Sequence, residues 1–327
     1  MLDPVPAARF NQSPSGCIAV CSASTLRLAG DSIRLDAFVD PLLVDPSPKL
    51  VAAIITAYAD AAAAVVTPTV EELQTTAASE RQSSLSQLPS VTILARTAVL
   101  DAVTGLFRRA SRLAALVERD HCELLQLPRP QPNTVLVGRK TGCVVVTHRS
   151  DCPGESPIEW LRVGDDPSLR DRYAPVVDAA EPYRLRVPSR HRVYDAFTDR
   201  CGPAVAGAVI RAFDAGGDPF AGGDGKGGYA GESDPESAVG PKARAYAVGV
   251  VHEATDGALR RACEDAGVGS RSTFTRIKSA FVAAGLCTTE PVSQPVGRPK
   301  ERLKPKGLFA TADEPRAVIA AIQTADL

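Results

Sequence analysis

The chain has 327 residues, of which 44% are hydrophobic and 23% are charged, and its formal net charge is −1. A chain of this length usually forms two domains, and this hydrophobic fraction supports packed cores, which excludes a chain that is disordered throughout. Because the net charge is close to zero, a polycationic coat protein is also excluded, and any nucleic-acid binding must be confined to one region.

The apolar segments do not predict a membrane protein. The most apolar stretch, Leu50 to Val66, contains Tyr58 and Asp60 and is shorter than the roughly 20 residues that a membrane-spanning helix needs. Asp3 and three early prolines precede any apolar run, so a secretory signal is not indicated. We therefore expect a soluble, cytoplasmic protein.

Residues 1–46 form an arm whose structure is uncertain, although CIAVC and AFVDPLLV within it could be strands. After it, Ser47-Pro48 is a good N-cap and first-turn proline for an alanine-rich helix. Ala64 to Thr67 is a candidate buried strand. Thr69 and Glu72 have the spacing of a capping box, which predicts the start of another helix.

The next segments alternate between strand and helix. SVTILA from Ser90 to Ala95 predicts a strand, Ala98 to Arg119 has helical periodicity, and Cys122 to Leu127 again predicts a strand. Thr134 to His148 is the clearest hairpin, with two valine-rich runs joined by a glycine-containing turn. We therefore expect an α/β regulatory, sensor-like domain over residues 47–214.

Helices are predicted for Pro167 to Ala180 and for Ser189 to Ile210, with a break at Pro203. Residues 215–240 are rich in glycine, aspartate and serine, which is typical of a flexible linker. We expect a winged helix-turn-helix domain at 241–310 and a C-terminal helix at 311–327.

The winged helix-turn-helix prediction rests on the segment from Lys242 to Leu303. Helices are expected at Lys242 to Ala254, Asp256 to Ala266 and Arg271 to Ala284, the last between the N-cap Ser270 and the C′ residue Gly285. Two short strands, Leu286 to Val292 and Pro299 to Leu303, would form the wing.

In the last of these helices, Phe274, Ile277 and Phe281 fall within one narrow arc and should face the core. The opposite side carries Ser, Thr and Arg side chains, which suit base edges in a major groove. The predicted DNA-binding residues are Ser270, Arg271, Ser272, Thr275, Arg276, Lys278, Ser279, Arg298, Lys300 and Arg302. Arg271 and Lys278 would contact phosphates, and Arg298 with Lys300 would enter the minor groove or hold its backbone.

Charge supports this placement. Between Arg271 and Lys306 the chain has eight basic and two acidic residues, a net charge of +6, so that the remainder carries −7. Basic charge is thus concentrated where a duplex would lie. A small helical domain with a solvated basic face remains the alternative reading.

Signs of catalysis or metal binding are weak. Cys17 and Cys21 have a spacing that zinc can use, but no second Cys or His pair follows nearby. The four histidines form no zinc or phosphodiesterase pattern, and the glycines near Lys226 lack the context of a phosphate loop. We expect no enzyme activity, no metal and no cofactor. The basic run from Tyr183 to Arg192 could bind an anionic metabolite or DNA phosphates, or be a solvated surface cluster.

The runs SRSTFTRIKSAFVAAGLCTTEPVSQPVGRPKERL and DAAEPYRLRVPSRHRVYDAF resemble the TrmB-suppressor (TbsP) family of haloarchaeal transcriptional regulators. The similarity extends from about Ser90 to Leu303. It implies an N-terminal α/β regulatory domain and a C-terminal winged helix that controls metabolic genes, including those of sugar metabolism. It also implies that the reading helix is Ser270 to Ala284 and that the wing tip is Val296-Gly297-Arg298-Pro299.

Together these observations predict a sequence-specific regulator that binds double-stranded DNA, with a possible small-molecule effector. A homodimer is expected because a single winged helix reads few base pairs. Two alternatives stay open. One is an α/β small-molecule-binding protein or enzyme whose winged helix mediates protein contacts, and the other is an architectural or plasmid-partition DNA binder without an effector.

Overall fold

The computed structural model describes residues 25–28, 31–75, 88–147, 158–164, 166, 168–215, 239–293 and 299–325. It has an α/β half built on a mixed sheet and a largely helical C-terminal half that contains a two-stranded wing. The predicted fold class is confirmed.

Seven strands form the main sheet in the order β8-β7-β6-β3-β4-β5-β9. The parallel centre consists of β3 (Leu42–Val44), β4 (Val91–Ala95) and β5 (Cys122–Gln126). The antiparallel flanks are β6 (Thr134–Val137), β7 (Gly142–Thr147), β8 (Ile158–Gly164) and β9 (Glu181–Pro182). A separate hairpin contains β1 (Thr25–Leu28) and β2 (Asp31–Arg34), followed by a 3-10 turn, Leu35–Ala37.

The central strands bury both faces, as expected for a parallel sheet covered on each side. In β3, Leu43 belongs to one core, whereas Leu42 and Val44 belong to the other. The first core is covered by α1 (Pro48–Ala61), α2 (Ala63–Val66), α4 (Thr97–Thr104) and α5 (Phe107–Val117). The second is covered by α6 (Ser168–Asp171) and α7 (Ala174–Asp178).

Two local start signals are confirmed. The side chain of Ser47 accepts a hydrogen bond from the backbone N–H of Leu50, so it caps α1. At α3 (Val70–Thr75), the N–H of Thr69 donates to Glu72 at 2.7 Å and the N–H of Glu72 donates to the Thr69 hydroxyl at 3.2 Å. These reciprocal bonds form the predicted capping box.

One prediction for the first part of the chain is wrong, and another is confirmed in part. Ala64 to Thr67 is not a strand, because α2 occupies it and buries Val65 and Val66 against the same core as α1. A short apolar run of this kind does not distinguish strand from helix. In the arm 1–46, the candidate strand AFVDPLLV contains β3, a central strand of the sheet, whereas CIAVC lies outside the described residues.

The strands at 91–95 and 122–126 and the 134–147 hairpin agree with the sequence. The helical stretch 98–119 divides into α4 and α5 around Gly105, and 167–180 divides into α6 and α7. The C-terminal half contains α8 (Arg190–Cys201), α9 (Pro203–Asp214), α10 (Pro241–Val251), α11 (Asp256–Asp265), α12 (Arg271–Ala283), β10 (Cys287–Val292), β11 (Lys300–Pro305), a 3-10 turn (Gly307–Thr311) and α13 (Pro315–Thr324).

The core does not divide at the expected boundary of residue 214. Val209 and Phe213 of α9 lie in the same apolar core as Tyr246, Leu259 and Ile322. Helices α8 and α9 therefore share a core with the C-terminal helices, and Val70 and Leu73 of α3 also belong to that core. The division of domains at residue 214 stays a prediction. The glycine-rich stretch, which the sequence predicts to be a linker, connects α9 and α10, two helices of this core. Its residues 216–238 lie outside the described part of the chain.

Candidate nucleic-acid interface

Helix α12 begins and ends where the sequence predicts. The Ser270 hydroxyl accepts a hydrogen bond from the backbone N–H of Thr273 at 3.4 Å, which satisfies one donor of the first turn. The turn before α12 contains Gly267 at φ +78°, and Gly285 follows the helix at φ +70°. Both values lie in the left-handed region that glycine adopts at little cost.

The inward side of α12 is aromatic. Phe274 and Phe281 are completely or almost completely buried, and their ring centroids lie 6.0 and 6.1 Å from that of Tyr246 on α10. Phe281 also meets Phe309 edge to face at 5.2 Å, and Ile277 is partly buried in the same core. The predicted apolar stripe is confirmed, and it fixes which side of α12 faces solvent.

The outward side carries Ser272, Thr275, Arg276 and Ser279, all exposed. Thr275 accepts a hydrogen bond from Arg260 at 2.9 Å, and Ser279 donates to the backbone carbonyl of Thr275 at 3.1 Å. Arg276 makes no hydrogen bond or ion pair with another residue in the described ranges. Its five donors are therefore available to an external acceptor.

Arg271, in the first turn of α12, forms an ion pair with Glu264 at 2.7 Å. Its side chain is 60% exposed and that of Glu264 is 45% exposed. An ion pair with this exposure contributes little to stability, so Arg271 can exchange its partner for a phosphate at low cost.

Lys278 does not fit the expected phosphate contact. Its side chain is only 17% exposed, and its ammonium lies 3.2 Å from Asp256 and 2.5 Å from Glu301. Burial acts to lower the pKa of Lys278, but the two carboxylates outweigh burial and raise it. Lys278 therefore ties α11, α12 and the wing strand β11 together instead of facing a ligand.

The sequence reading missed the centre of this network, Asp256. Its buried carboxylate accepts hydrogen bonds from the Tyr246 hydroxyl at 2.6 Å, from Arg260 one helical turn later, and from Lys278. Burial acts to raise the pKa of Asp256, but the bonds from Arg260 and Tyr246 and the two positive charges lower it overall. The spacing of Asp256 and Arg260 is the one sequence signal that could have indicated it.

The hydrogen bond from Tyr246 to Asp256 also affects the pKa of Tyr246. Burial is the main cause that raises the pKa of its phenol, and the hydrogen bond to Asp256 raises it further. Tyr246 therefore stays protonated and keeps donating to the carboxylate. Tyr246 thus connects the polar network around Asp256 to the aromatic core against which α12 packs.

The wing follows α12 as expected, with strand bounds within two residues of those predicted. Strands β10 and β11 pair antiparallel, with Glu290 opposite Arg302. On its other edge, β11 receives a third short segment, because the Leu303 N–H donates to the Ala254 carbonyl at 3.0 Å and Thr255 bridges Arg302.

Lys300 and Arg302 are exposed on this wing, whereas Arg298 lies outside the described residues. Lys304, at the other end of β11, forms an ion pair with Glu253 at 2.6 Å. Lys300 is therefore at the end of β11 that is remote from Lys304, and Arg302 is in the middle of the strand, where it bridges Thr255.

The basic run from 183 to 192 is only partly a surface cluster. Arg190 is buried, pairs with Asp214 and donates to the carbonyl of Pro68 at 2.9 Å. His191 is also buried, with Nε2 3.2 Å from the carbonyl of Val65. Arg190 and His191 therefore connect α8 to the α2–α3 region and have a structural role, not an anion-binding one. The side chains of Arg184, Arg186 and Arg192 are exposed.

Other candidate sites receive no support. Within the described ranges, no group of three or more His, Cys, Asp or Glu side chains could hold a metal ion, and no helix there is long and apolar enough to cross a membrane. Cys17, Cys21, His148 and the glycines around Lys226 lie outside those ranges.

Two family models match the chain. Residues 49–188 match the N-terminal domain described as "Transcriptional regulator TbsP-like", and residues 229–323 match the "Transcriptional regulator TbsP-like, C-terminal HTH domain". No curated protein and no solved structure matches it. The second match contains α10, α11, α12 and the wing, so the helix-turn-helix derived from the residues coincides with the domain that the family defines. The chain belongs to the TbsP-like family of transcriptional regulators.

Proposed function

We propose that this regulator recognises a specific double-stranded DNA sequence by placing α12 in the major groove. Ser272, Thr275, Arg276 and Ser279 would face base edges, and Arg271 would contact a phosphate at the groove rim. The observation that carries the proposal is Arg276, an exposed arginine in the middle of α12 that has no ion-pair partner among the described residues.

The difference between Arg276 and Lys278 supports this division of roles. Both are cations on α12, but Lys278 is largely buried between Asp256 and Glu301, whereas Arg276 points to solvent. Lys278 thus helps to hold α12 in place through Asp256 and Glu301, and Arg276 stays available to an external ligand. Bidentate pairing of arginine with guanine is the commonest specific contact of this type.

The wing would contact the DNA backbone. Lys300 and Arg302 are exposed on β11, and Arg298 belongs to the predicted wing tip. Contacts to phosphates fix register and add affinity that does not depend on sequence. We assign this role to the three wing cations and withdraw it from Lys278.

We further propose that the protein acts as a homodimer on paired half-sites and that its α/β half senses a small-molecule effector. The resemblance to the TbsP family supports metabolic, sugar-related target genes. Size-exclusion chromatography with light scattering tests the dimer, and genome-wide mapping of bound promoters tests the target genes.

The test of DNA recognition is selection of duplexes from a random pool by the full chain, followed by fluorescence anisotropy on the selected and a scrambled duplex. A specific binder at physiological salt prefers the selected duplex by about 10³-fold or more. Equal affinity for both duplexes, with a strong salt dependence, would instead indicate an architectural binder. Absence of binding to either duplex would support a protein-contact role for the winged helix.

A further inference from the structure

Two exposed cations from other helices lie beside the turn that leads into α12. This turn, Gly267-Val268-Gly269, joins α11 to α12. The guanidinium of Arg192 on α8 lies next to the first glycine, because a Cβ on Gly267 would be 3.8 Å from its Cζ and from one of its terminal nitrogens. The stem of Lys242 on α10 lies next to the last glycine, because a Cβ on Gly269 would be 3.4 Å from its Cδ.

Neither of these two side chains forms an ion pair with a carboxylate of the described residues, and both are exposed. Arg192 donates from Nε to the backbone carbonyl of Asp265 at 3.4 Å, so its two terminal nitrogens have no acceptor within the described ranges. The side chain of Lys242 makes no hydrogen bond with any described residue. Both charges are therefore available to an external anion.

The carboxylates around the turn do not pair with these cations. Glu264 and Asp265, the last two residues of α11, pair with Arg271 at 2.7 Å and with Arg200 at 2.9 Å, respectively. Three further carboxylates share a cleft with Arg192 but form no ion pair with it, namely Glu118, Asp195 and Asp199. Exposed charges that are not in contact attract each other only weakly in water.

The position of Arg192 is fixed by the start of α8. The hydroxyl of Ser189 caps this helix and accepts a hydrogen bond from the backbone N–H of Arg192 at 3.3 Å. The residue between them, His191, is buried with Nε2 3.2 Å from the carbonyl of Val65. Arg192 also lies between the two segments that match the family models, 49–188 and 229–323. A DNA contact by Arg192 would therefore extend the interface beyond the helix-turn-helix domain.

A duplex that receives α12 in its major groove has phosphates along both rims of that groove, and arginine and lysine are among the side chains that bind them. We propose that Arg192 and Lys242 bind phosphates of the DNA backbone at the two ends of the α11–α12 turn. This assignment rests on the placement of α12 proposed above, and it adds α8 and α10 to the elements that contact DNA.

The experiment measures fluorescence anisotropy of the full chain with the selected and the scrambled duplex at four or five salt concentrations. The variants are Arg192→Ala, Arg192→Lys, Lys242→Ala and the double alanine variant. The matched controls are Arg316→Ala and Lys140→Ala, which remove one exposed cation each from α13 and from the β6–β7 turn.

Each single alanine variant should make the slope of log K against log salt shallower by about 0.9, the effect of one lost phosphate contact, and the double variant by about twice that. Both duplexes should lose affinity equally, because phosphates carry no sequence information. Arg192→Lys keeps the charge and should retain the wild-type slope, as should both controls.

The proposal fails if either Arg192→Ala or Lys242→Ala keeps the wild-type slope, if the controls change it equally, or if Arg192→Lys is as shallow as Arg192→Ala. Recognition by α12 would then still stand on the preference of the wild type for the selected duplex. Equal wild-type affinity for the two duplexes would contradict sequence recognition instead, and the slopes would still test the phosphate contacts. A wild type that binds neither duplex would overturn both proposals.

Discussion

The hydroxyl of Tyr246 donates a 2.6 Å hydrogen bond to the carboxylate of Asp256, and this bond joins α10 to the first turn of α11. The ring of the same tyrosine packs beside Phe274 and Phe281 of α12. One side chain thus links the buried polar network to the aromatic core. The orientation of α12 depends on both.

Replacement of Asp256 by Asn should destabilise the protein by about 2 kcal/mol, because removal of one partner leaves Arg260 and Lys278 short of a buried counter-charge. The full penalty of a buried pair, about 3–5 kcal/mol, is not expected, since both cations remain partly exposed. Urea unfolding of the full chain measures the change. Asp313→Asn, at an exposed position, serves as control and should leave the midpoint unchanged. Equal midpoints for both variants would contradict the role of the network.

Acid should lower the stability of the folded protein because Asp256 becomes protonated. The folded state lowers the pKa of Asp256, so its stabilising effect is fully present above the pKa of an unfolded aspartate, about 4, and is lost as the pH falls through the lower folded value. The loss of stability between pH 5 and pH 3 should therefore be smaller in Asp256→Asn than in the wild type. Denaturant midpoints measured across this range give the comparison, and identical pH profiles would refute it.

Phe281→Ala should destabilise the protein by about 3–5 kcal/mol, because a buried aromatic ring is lost from the contact among α10, α12 and the 3-10 turn. The neighbouring Val282 is 46% exposed, so Val282→Ala should stay within about 0.5 kcal/mol of the wild type. Thermal and urea unfolding of the pair test which side of α12 is buried. A larger effect at Val282 than at Phe281 would mean that the helix is rotated.

The salt dependence of DNA binding should distinguish Lys300, which is proposed to contact a phosphate, from Lys278, which has internal partners. Lys300→Ala removes a proposed phosphate contact, so the slope of log K against log salt should become shallower by about 0.9. Lys278→Met removes an internal tie and should leave the slope unchanged, even where affinity falls. Anisotropy titrations at four or five salt concentrations provide both slopes. A shallower slope for Lys278→Met would restore that residue to the DNA-contacting set.

Helix ends that depend on interactions within one turn of the chain could be predicted from the sequence. Ser270, Gly285 and the Thr69–Glu72 pair mark helix ends by hydrogen bonding or by backbone freedom, and the structure has helices that begin or end there. The buried side of α12 could also be predicted, because it follows from the helical spacing of Phe274 and Phe281.

Features that depend on tertiary contacts were not readable. Lys278 looks like a surface cation in sequence, and only the approach of Asp256 and Glu301 from two other elements makes it internal. Likewise, the glycine-rich stretch after Asp214 looked like a domain boundary. The apolar core that Phe213 and Tyr246 share extends across this stretch, and only their packing in three dimensions shows it.

The most direct test of the account is base-by-base discrimination by Arg276→Ala on the selected duplex, with Arg316→Ala on the exposed side of α13 as control. If α12 reads the major groove, wild-type protein and Arg316→Ala will lose about 1–3 kcal/mol when one particular base pair is changed, and Arg276→Ala will lose that discrimination at this position alone. If Arg276→Ala discriminates every base pair as the wild type does, the exposed face of α12 is not the surface that reads DNA.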